Sequence, residues 1–386
     1  MNYKKVKLGD ISTVSSSKRI FARQYVTSGV PFYRQKEILD KKDKKEITEP
    51  LYISQDTYND IKKRFGVPQK GDLLITAVGV TLGIPYIVED ELFYFKDGNL
   101  IWLKDFDKDI NSRYLYYWIT SDNGQKLMWS RTIGSAQPAL TIDIVKQIEI
   151  SLPNYEKQCK IVNILSVYDN LLENNGKQIK LLEEAAQRLY KEWFVDLRFP
   201  DYEVVEVINN LPSGWKVGKL EDIALFKRGK TITKSQVHEG NVPVVAGGLA
   251  PAYYHNKANT VAPVITVSGS GANAGFARLY NVDVFASDCS FADSLSTPYL
   301  FFVYCFIKGN KAHLDSLQKG AAQPHVYAKD INSLHLLIPP ENILDLFCKT
   351  VTPYFNKIKA LQKQIELISE ARDRLLPKLM SGEIEV

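Results

Sequence analysis

Much of what would mark an enzyme, a membrane protein or a secreted scaffold is missing. Four cysteines (Cys159, Cys289, Cys305, Cys348) occur in 386 residues, and none forms a CxxC pair. That argues against a disulfide framework or a thiolate zinc site and predicts reduced, buried thiols. The five histidines (His238, His255, His313, His325, His335) lack metal-ligand spacing. The longest apolar stretch, Tyr299 to Ile307, is too short to span a bilayer. Met1-Asn2-Tyr3-Lys4-Lys5 leads into no apolar run, so no secretory signal is expected. A cytoplasmic chain with no membrane partner follows. An excess of one charge is also lacking: 49 Lys+Arg against 44 Asp+Glu leave +5. This permits a polyanionic partner without demanding one.

Catalytic signatures are absent as well. There is no GxxxxGK[ST] loop for phosphates, no Asn/Asp-Pro-Pro-Tyr/Phe motif to hold a flipped adenine, and no local Ser/His/Asp set. The Gly-rich stretch from Gly269 to Gly275 has the wrong spacing for a nucleotide loop. No catalytic residue, metal or cofactor is therefore expected on this chain. What remains, at 45% hydrophobic and 24% charged, is a globular composition long enough for two or three cores.

The chain contains itself twice. Gly134-Ser135-Ala136-Gln137-Pro138 matches Gly320-Ala321-Ala322-Gln323-Pro324 at an offset of 186 residues. At the same offset Ile150-x-Leu152-Pro153 meets Leu336-x-Ile338-Pro339, and no gap is needed to Leu189 and Leu375. The front of each half matches at an offset of 212: Leu8-Gly9-Asp10-Ile11 meets Leu220-Glu221-Asp222-Ile223. In between, Ile75-Thr76-x-x-Gly79 meets Ile265-Thr266-x-x-Gly269 at 190. The second copy is shorter, and most of the loss lies before Gly269. Ends held fixed around a variable middle suit one scaffold carrying two binding surfaces.

Each copy has two parts. Residues 1–154 and 201–340 are rich in Gly, Pro, aromatics and short β-branched runs, which read as strands between turns with some helix, such as Asn111 to Gln125. Residues 155–200 and 341–386 follow a three-four apolar spacing. It runs Leu165, Tyr168, Leu172, Asn175, Ile179, Leu182, Ala186, Leu189, Trp193, and then Val351, Tyr354, Ile358, Leu361, Ile365, Ile368, Arg372, Leu375, Leu379. This is a heptad seam, interrupted at Asn175 and Arg372, on helices about 38–40 residues long. The fold class is α+β: two α+β domains separated by two long helices that form an antiparallel coiled coil, with an internal pseudo-two-fold repeat. Duplex DNA has matching symmetry, and a paired reader would take two half-sites.

Three motifs in order identify a family. They are Leu152-Pro153-x-x-Glu156-Lys157-Gln158-x-x-Ile161-x-x-Ile164-Leu165-x-x-x-Asp169, Gly79-Val80-Thr81-Leu82-Gly83, and Leu375-Leu376-Pro377-Lys378-Leu379-Met380-Ser381-Gly382-Glu383-Ile384. With the repeat, the chain resembles the specificity subunit of Type I restriction–modification systems over essentially its whole length. The second copy departs at the turn, where Gly269 to Gly275 carries an insertion, and Leu344 stands where Gln158 would align.

The resemblance implies two target-recognition domains, each reading half of a bipartite site in double-stranded DNA. It implies helices that bind two modification (methyltransferase) subunits, which use S-adenosylmethionine to methylate adenine N6. Two restriction subunits would join for ATP- and Mg-dependent translocation and cleavage. The same architecture in a Type IIB-like or methylase-only assembly is the alternative, with a self-sufficient DNA methyltransferase or a coiled-coil scaffold further off.

Candidate DNA contacts are basic and polar loop residues. Lys18 and Arg19 correspond to Lys227, Arg228 and Lys230, and Lys18 aligns with Lys230 at offset 212. Lysine and arginine neutralise phosphate, and arginine also grips guanine. Arg34 and Lys36 have no basic equivalents in the second copy and would serve the first half-site. Thr81, Ser270 and Asn273 lie in the glycine turns. Arg131, Gln137, Gln323 and Lys329 flank the repeated Gly-x-Ala-Gln-Pro loop, whose glutamines suit a DNA contact or a turn-stabilising amide equally. Charge divides unevenly: residues 1–155 carry 23 basic and 19 acidic residues, and residues 201–340 carry 12 and 11. The helical segments balance at 7 and 7 each, as suits a protein-facing role.

Overall fold

A computed structural model describes residues 3–134, 138–209, 211–318 and 324–386. The chain divides into two compact units, residues 1–172 with 366–386, and residues 173–365. Each unit therefore holds one α+β domain and one stretch of both long helices.

The first domain closes on itself. Strand Lys4–Lys7 pairs antiparallel with Glu149–Leu152, Lys4 opposite Leu152, so the chain leaves the domain beside its point of entry. A four-stranded sheet follows in the order Thr13–Ser15, Leu100–Lys104, Leu73–Thr76, Pro85–Ile87. Its inner strand Leu73–Thr76 is buried throughout. That accounts for the unbroken apolar run Leu73-Leu74-Ile75: both faces are covered. A second sheet orders Tyr25–Val26, Leu51–Ile53, Val30–Tyr33 and Tyr94–Phe95, the last pair parallel.

The second domain repeats the plan. Lys216–Lys219 pairs with His335–Ile338 in the same register, Lys216 opposite Ile338. Lys227–Arg228, Cys289–Asp293, Val264–Ser268 and Ala277–Tyr280 form its four-stranded sheet. Its second sheet has three strands, Tyr253–His255, Val242–Val245 and Phe285–Ala286, again with a parallel pair. The shortening read in the sequence has a structural source. Between Val30 and Leu73 the first domain carries helices Gln35–Lys42 and Gln55–Phe65, whereas the second crosses from Val245 to Val264 without a helix.

The single helix expected from Asn111 to Gln125 is two helices, Ser112–Thr120 and Asp122–Ser130. Ser121 makes the break. Its hydroxyl donates to the Trp118 carbonyl at 2.6 Å and accepts from the Gly124 amide at 3.2 Å, capping the second helix as the first ends.

The long helices run Tyr155–Tyr190, with a final wide turn over Lys191–Val195, and Glu341–Ser381. No seam position of either helix is exposed. Within the first unit Ile161, Val162 and Leu165 pack with Leu379 and Met380, beside Leu375, so the two segments run antiparallel. Within the second, Ile179, Leu182, Ala186 and Leu189 share a core with Val351, Tyr354 and Ile358. Tyr168, Leu172, Leu361, Ile365 and Ile368 are buried or half-buried. Both interruptions are satisfied. Asn175, 5% exposed, donates from Nδ2 to Gln364 Oε1 at 3.2 Å. Arg372 Nη1 donates to Asp169 Oδ1 at 3.1 Å, and Asp169 also accepts from the Tyr117 hydroxyl at 2.6 Å. A polar seam residue with one partner favours a single register. All four cysteines are free thiols, and burial pushes Cys289 up to about 12. Among the described residues no helix is long and apolar enough to cross a membrane, and no His/Cys/Asp/Glu group could hold a metal.

Candidate nucleic-acid interface

In the first domain the loop after Val30–Tyr33, the loop after Leu73–Thr76 and the segment before Leu100–Lys104 meet. An open groove forms there, lined by Gln35, Thr81 and Asn99 and by charges of both signs, Lys36, Lys42 and Lys45 with Asp40 and Asp43. Two of the expected contact residues, Lys36 and Thr81, thus share one wall. Gln35 joins them: its Nε2 donates to the Val78 carbonyl at 2.9 Å and to Thr81 Oγ1 at 3.0 Å. Gln35 lies in the donor-bearing stretch Tyr33 to Lys36, and Asn99 is added by the structure.

Lys18 and Arg19 lie at the edge of the same domain, both exposed. The Lys18 amide donates to the Tyr94 hydroxyl at 2.6 Å, and its ammonium sits 5.1 Å from the Phe65 ring centre. Arg19 pairs with Asp97 at 2.7 Å. Arg34 has an inward task. Its guanidinium forks onto Glu37, whose side chain is buried, and the Arg34 amide donates to the same carboxylate at 2.8 Å. Burial pushes the Glu37 carboxyl up, but these hydrogen bonds outweigh it and hold it below the usual carboxylate range. Arg131 is exposed at the end of helix Asp122–Ser130, where the chain turns into the loop that bridges Ile133 and Val78 to Ala139.

The second domain builds its face on segment Phe285 to Cys289. Lys227 and Arg228 are exposed on the edge strand paired with Cys289–Asp293. The Lys230 amide donates to the Ala286 carbonyl at 2.9 Å. Ser270 donates to the Asp288 carboxylate and bridges to His325, which stacks on Tyr327 at 5.9 Å. The Lys329 ammonium lies 5.9 Å from that ring. Asn273 Nδ2 donates to the Gly247 carbonyl at 3.4 Å. Gln137 and Gln323 lie outside the described residues.

One expected correspondence is corrected. The counterpart of Gly79 is Gly271, not Gly269. Strand Val264–Ser268 runs one residue longer than Leu73–Thr76, and the turn beyond it then repeats: positive φ falls at Gly79 (76°) and Gly83 (81°), and at Gly271 (77°) and Gly275 (82°). Thr81 therefore corresponds to Asn273.

Two copies of one α+β domain, each presenting a basic-rimmed loop face and each joined to paired long helices, define a tandem binder with two different faces. The family model described as the Type I restriction modification DNA specificity domain matches residues 1–184 and again 212–370, and the chain belongs to this family. It is similar to the Type I restriction enzyme MjaIX specificity subunit of Methanocaldococcus jannaschii, 28% identical over 98% of this chain and 93% of that protein. The HindI specificity subunit of Haemophilus influenzae is 21% identical over 99% of this chain and 100% of its own. The crystal structure of a Type I S subunit from M. genitalium shares the fold, with a TM-score of 0.61 and 18% identity over 98% of this chain and 96% of that one. The chain is a DNA specificity subunit of the Type I restriction–modification kind.

Proposed function

We propose that the chain is the non-catalytic reader of its complex: each recognition domain takes one half of a bipartite site in duplex DNA, and the long helices set the spacer and dock two modification subunits. Those subunits would carry S-adenosylmethionine and methylate adenine N6. Two restriction subunits would bring ATP- and Mg-dependent cleavage. The carrying observation is the repeat itself: one frame used twice, with different side chains and different outer layers around the same turn. Lys18, Lys36, Arg131, Lys227, Arg228, Lys230 and Lys329 are exposed cations, and that exposure supports a role in phosphate contact. Arg19 and Arg34 are each already paired with a carboxylate, Asp97 and Glu37, and their part in DNA binding is weaker for it.

The test is to assemble the full chain with its modification subunit and map methylated adenines on random-sequence DNA. A bipartite motif is expected, and removing one heptad from both long helices together should shorten its spacer and leave both half-sites intact. Robust methyl transfer by the chain alone would sink this reading. So would a complex in which no sequence outcompetes bulk DNA at physiological salt.

A further inference from the structure

The two glycine turns are built alike and loaded differently. In each, three backbone hydrogen bonds close the frame. Leu82 donates to the Gly79 carbonyl at 3.1 Å and Ala274 to that of Gly271 at 3.0 Å. Gly83 donates to Thr76 at 2.8 Å and Gly275 to Ser268 at 2.9 Å. Gly79 donates to Pro138 and Gly271 to Pro324, both at 3.0 Å. Both glycine pairs sit in the left-handed region that disfavours any side chain, so the frame is fixed by sequence as well as by hydrogen bonds.

What the frame carries changes from copy to copy. The first turn presents Val80 and Thr81, the second Ala272 and Asn273. Val80 is 91% exposed. Its methyl groups gain nothing from the fold, and a Cβ built at the preceding Gly79 would meet nothing within 4 Å. Thr81 beside it is tied to the Gln35 amide and lines a groove that carries Lys36, Lys42 and Lys45 together with Asp40 and Asp43, the last paired with Lys45. An apolar tip on a fixed turn, next to a groove with the exposed Lys36, has the form of a base-edge probe beside a phosphate contact. In DNA the apolar group available to such a tip is the thymine 5-methyl, which lies in the major groove.

We propose that the glycine turn is the base-reading element of each domain, and that Val80 packs against the 5-methyl group of a thymine in the first half-site. This rests on the bipartite reading above. Ala272 at the matching position lacks the γ-methyls of Val80, so at the same backbone distance the second turn makes a weaker thymine contact.

The experiment uses the full chain assembled with its modification subunit and the mapped target. Each thymine of the first half-site is replaced in turn by uracil, which lacks only the methyl. At one position wild-type binding should weaken about fourfold, the worth of one buried methyl. With Val80→Ala that thymine/uracil difference should vanish, because the alanine Cβ stops short of the positions of the valine γ-methyls. Since uracil leaves the protein untouched, the wild-type result stands whether or not the variant folds. A first half-site with no thymine, equal binding of every uracil duplex, or a difference that survives Val80→Ala overturns the proposal. A wild-type complex with no bipartite target at all overturns the underlying reading instead, and takes the proposal with it.

Discussion

The junction between helix and domain is aliphatic in the first unit and aromatic in the second. At the 186-residue offset, Ile161, Leu376, Leu379 and Met380 occupy the positions held by Phe347, Tyr190, Trp193 and Phe194. All are buried or half-buried in their own unit. Phe347 lies 4.9 Å from Phe194, 5.8 Å from Trp193 and 6.2 Å from both Tyr190 and Phe302, each edge to face. Further along the helices, Asp169 and Arg372 of the first unit correspond to Phe355 and Ala186 of the second. Asp169 takes hydrogen bonds from Tyr117 and Arg372, whereas Phe355 stacks on Phe301 at 4.3 Å. The frame depends on where apolar and paired polar groups fall, and volume can be supplied by unrelated side chains once the pattern is kept.

The largest effect should come from emptying these junctions. Phe347→Ala removes the hub of five packed rings and should destabilise the second unit by about 3–5 kcal/mol. Ile161→Ala should cost the first unit about 2–5 kcal/mol, toward the lower end since fewer atoms are lost. Urea unfolding followed by tryptophan fluorescence reads them apart, because Trp193 and Trp215 belong to the second unit and Trp102, Trp118 and Trp129 to the first. If both substitutions shift both transitions equally, the junctions are not separate cores.

Next is the polar triad. Arg372→Ala should cost the first unit about 1–2 kcal/mol, less than a fully buried pair because Asp169 and Arg372 are 30% and 33% exposed. Making Tyr117→Phe and Asp169→Phe together with Arg372→Ala imports the apolar solution of the second unit and should restore most of that loss. A triple variant weaker than the single one would mean the polar version is required by the frame rather than interchangeable with it.

Acid should separate the units by a smaller margin. Glu37 titrates below its ordinary value when folded, so it contributes stability above the unfolded carboxylate range near pH 4.5, lost as pH falls through the depressed folded value. The second unit lacks the helix that holds this pair. The first unit's urea midpoint should therefore fall less steeply below pH 5 in Glu37→Gln than in the unmodified chain, while the second unit, whose depressed carboxylates include Glu192 and Asp196, keeps its profile. A first-unit profile that Glu37→Gln leaves unchanged would contradict it.

How much could be read in advance follows from the same contrast. The two-part repeat and the seam from Leu165 to Leu375 were legible, because a three-four apolar spacing that recurs at one offset is the pattern of paired long helices and of little else. That the Lys4–Leu152 pairing recurs as Lys216–Ile338 agrees with the offsets of 212 and 186, but the pairing itself is a property of the folded chain. The equivalence of Gly79 with Gly271 was hidden: the longer strand puts a second glycine at Gly269, and identity prefers the nearer one. Arg34 looked like a donor for base edges, but Glu37 three residues on makes it an internal partner, a distinction that depends on burial. The residue aligned with Gln35 is Gly247, where the second domain replaces a side chain with close backbone packing: a Cβ there would lie 2.8 Å from the Ser270 carbonyl oxygen.

The smallest effect concerns charge at one pair of aligned positions. Lys36 stands on the first groove, and at the 212 offset the second domain has Gly248. If Lys36 neutralises one phosphate, Lys36→Ala should reduce the slope of log K against log salt by about 0.9 and weaken all sequences alike, since a phosphate contact carries no base information. The reciprocal change is open to the second domain. Gly248 has no left-handed φ, and a Cβ there would approach the Ala250 carbonyl oxygen at 3.4 Å, an ordinary contact, unlike the blocked Gly247 next to it. Gly248→Lys should therefore fold, and should raise the slope by about the amount that Lys36→Ala removes. The double variant should return to the wild-type slope with an unchanged target sequence. An additive result would mean that the second domain's loop face can be given the phosphate contact it lacks. A slope that ignores Gly248→Lys while responding to Lys36→Ala would mean that this part of the second domain is turned away from the DNA backbone.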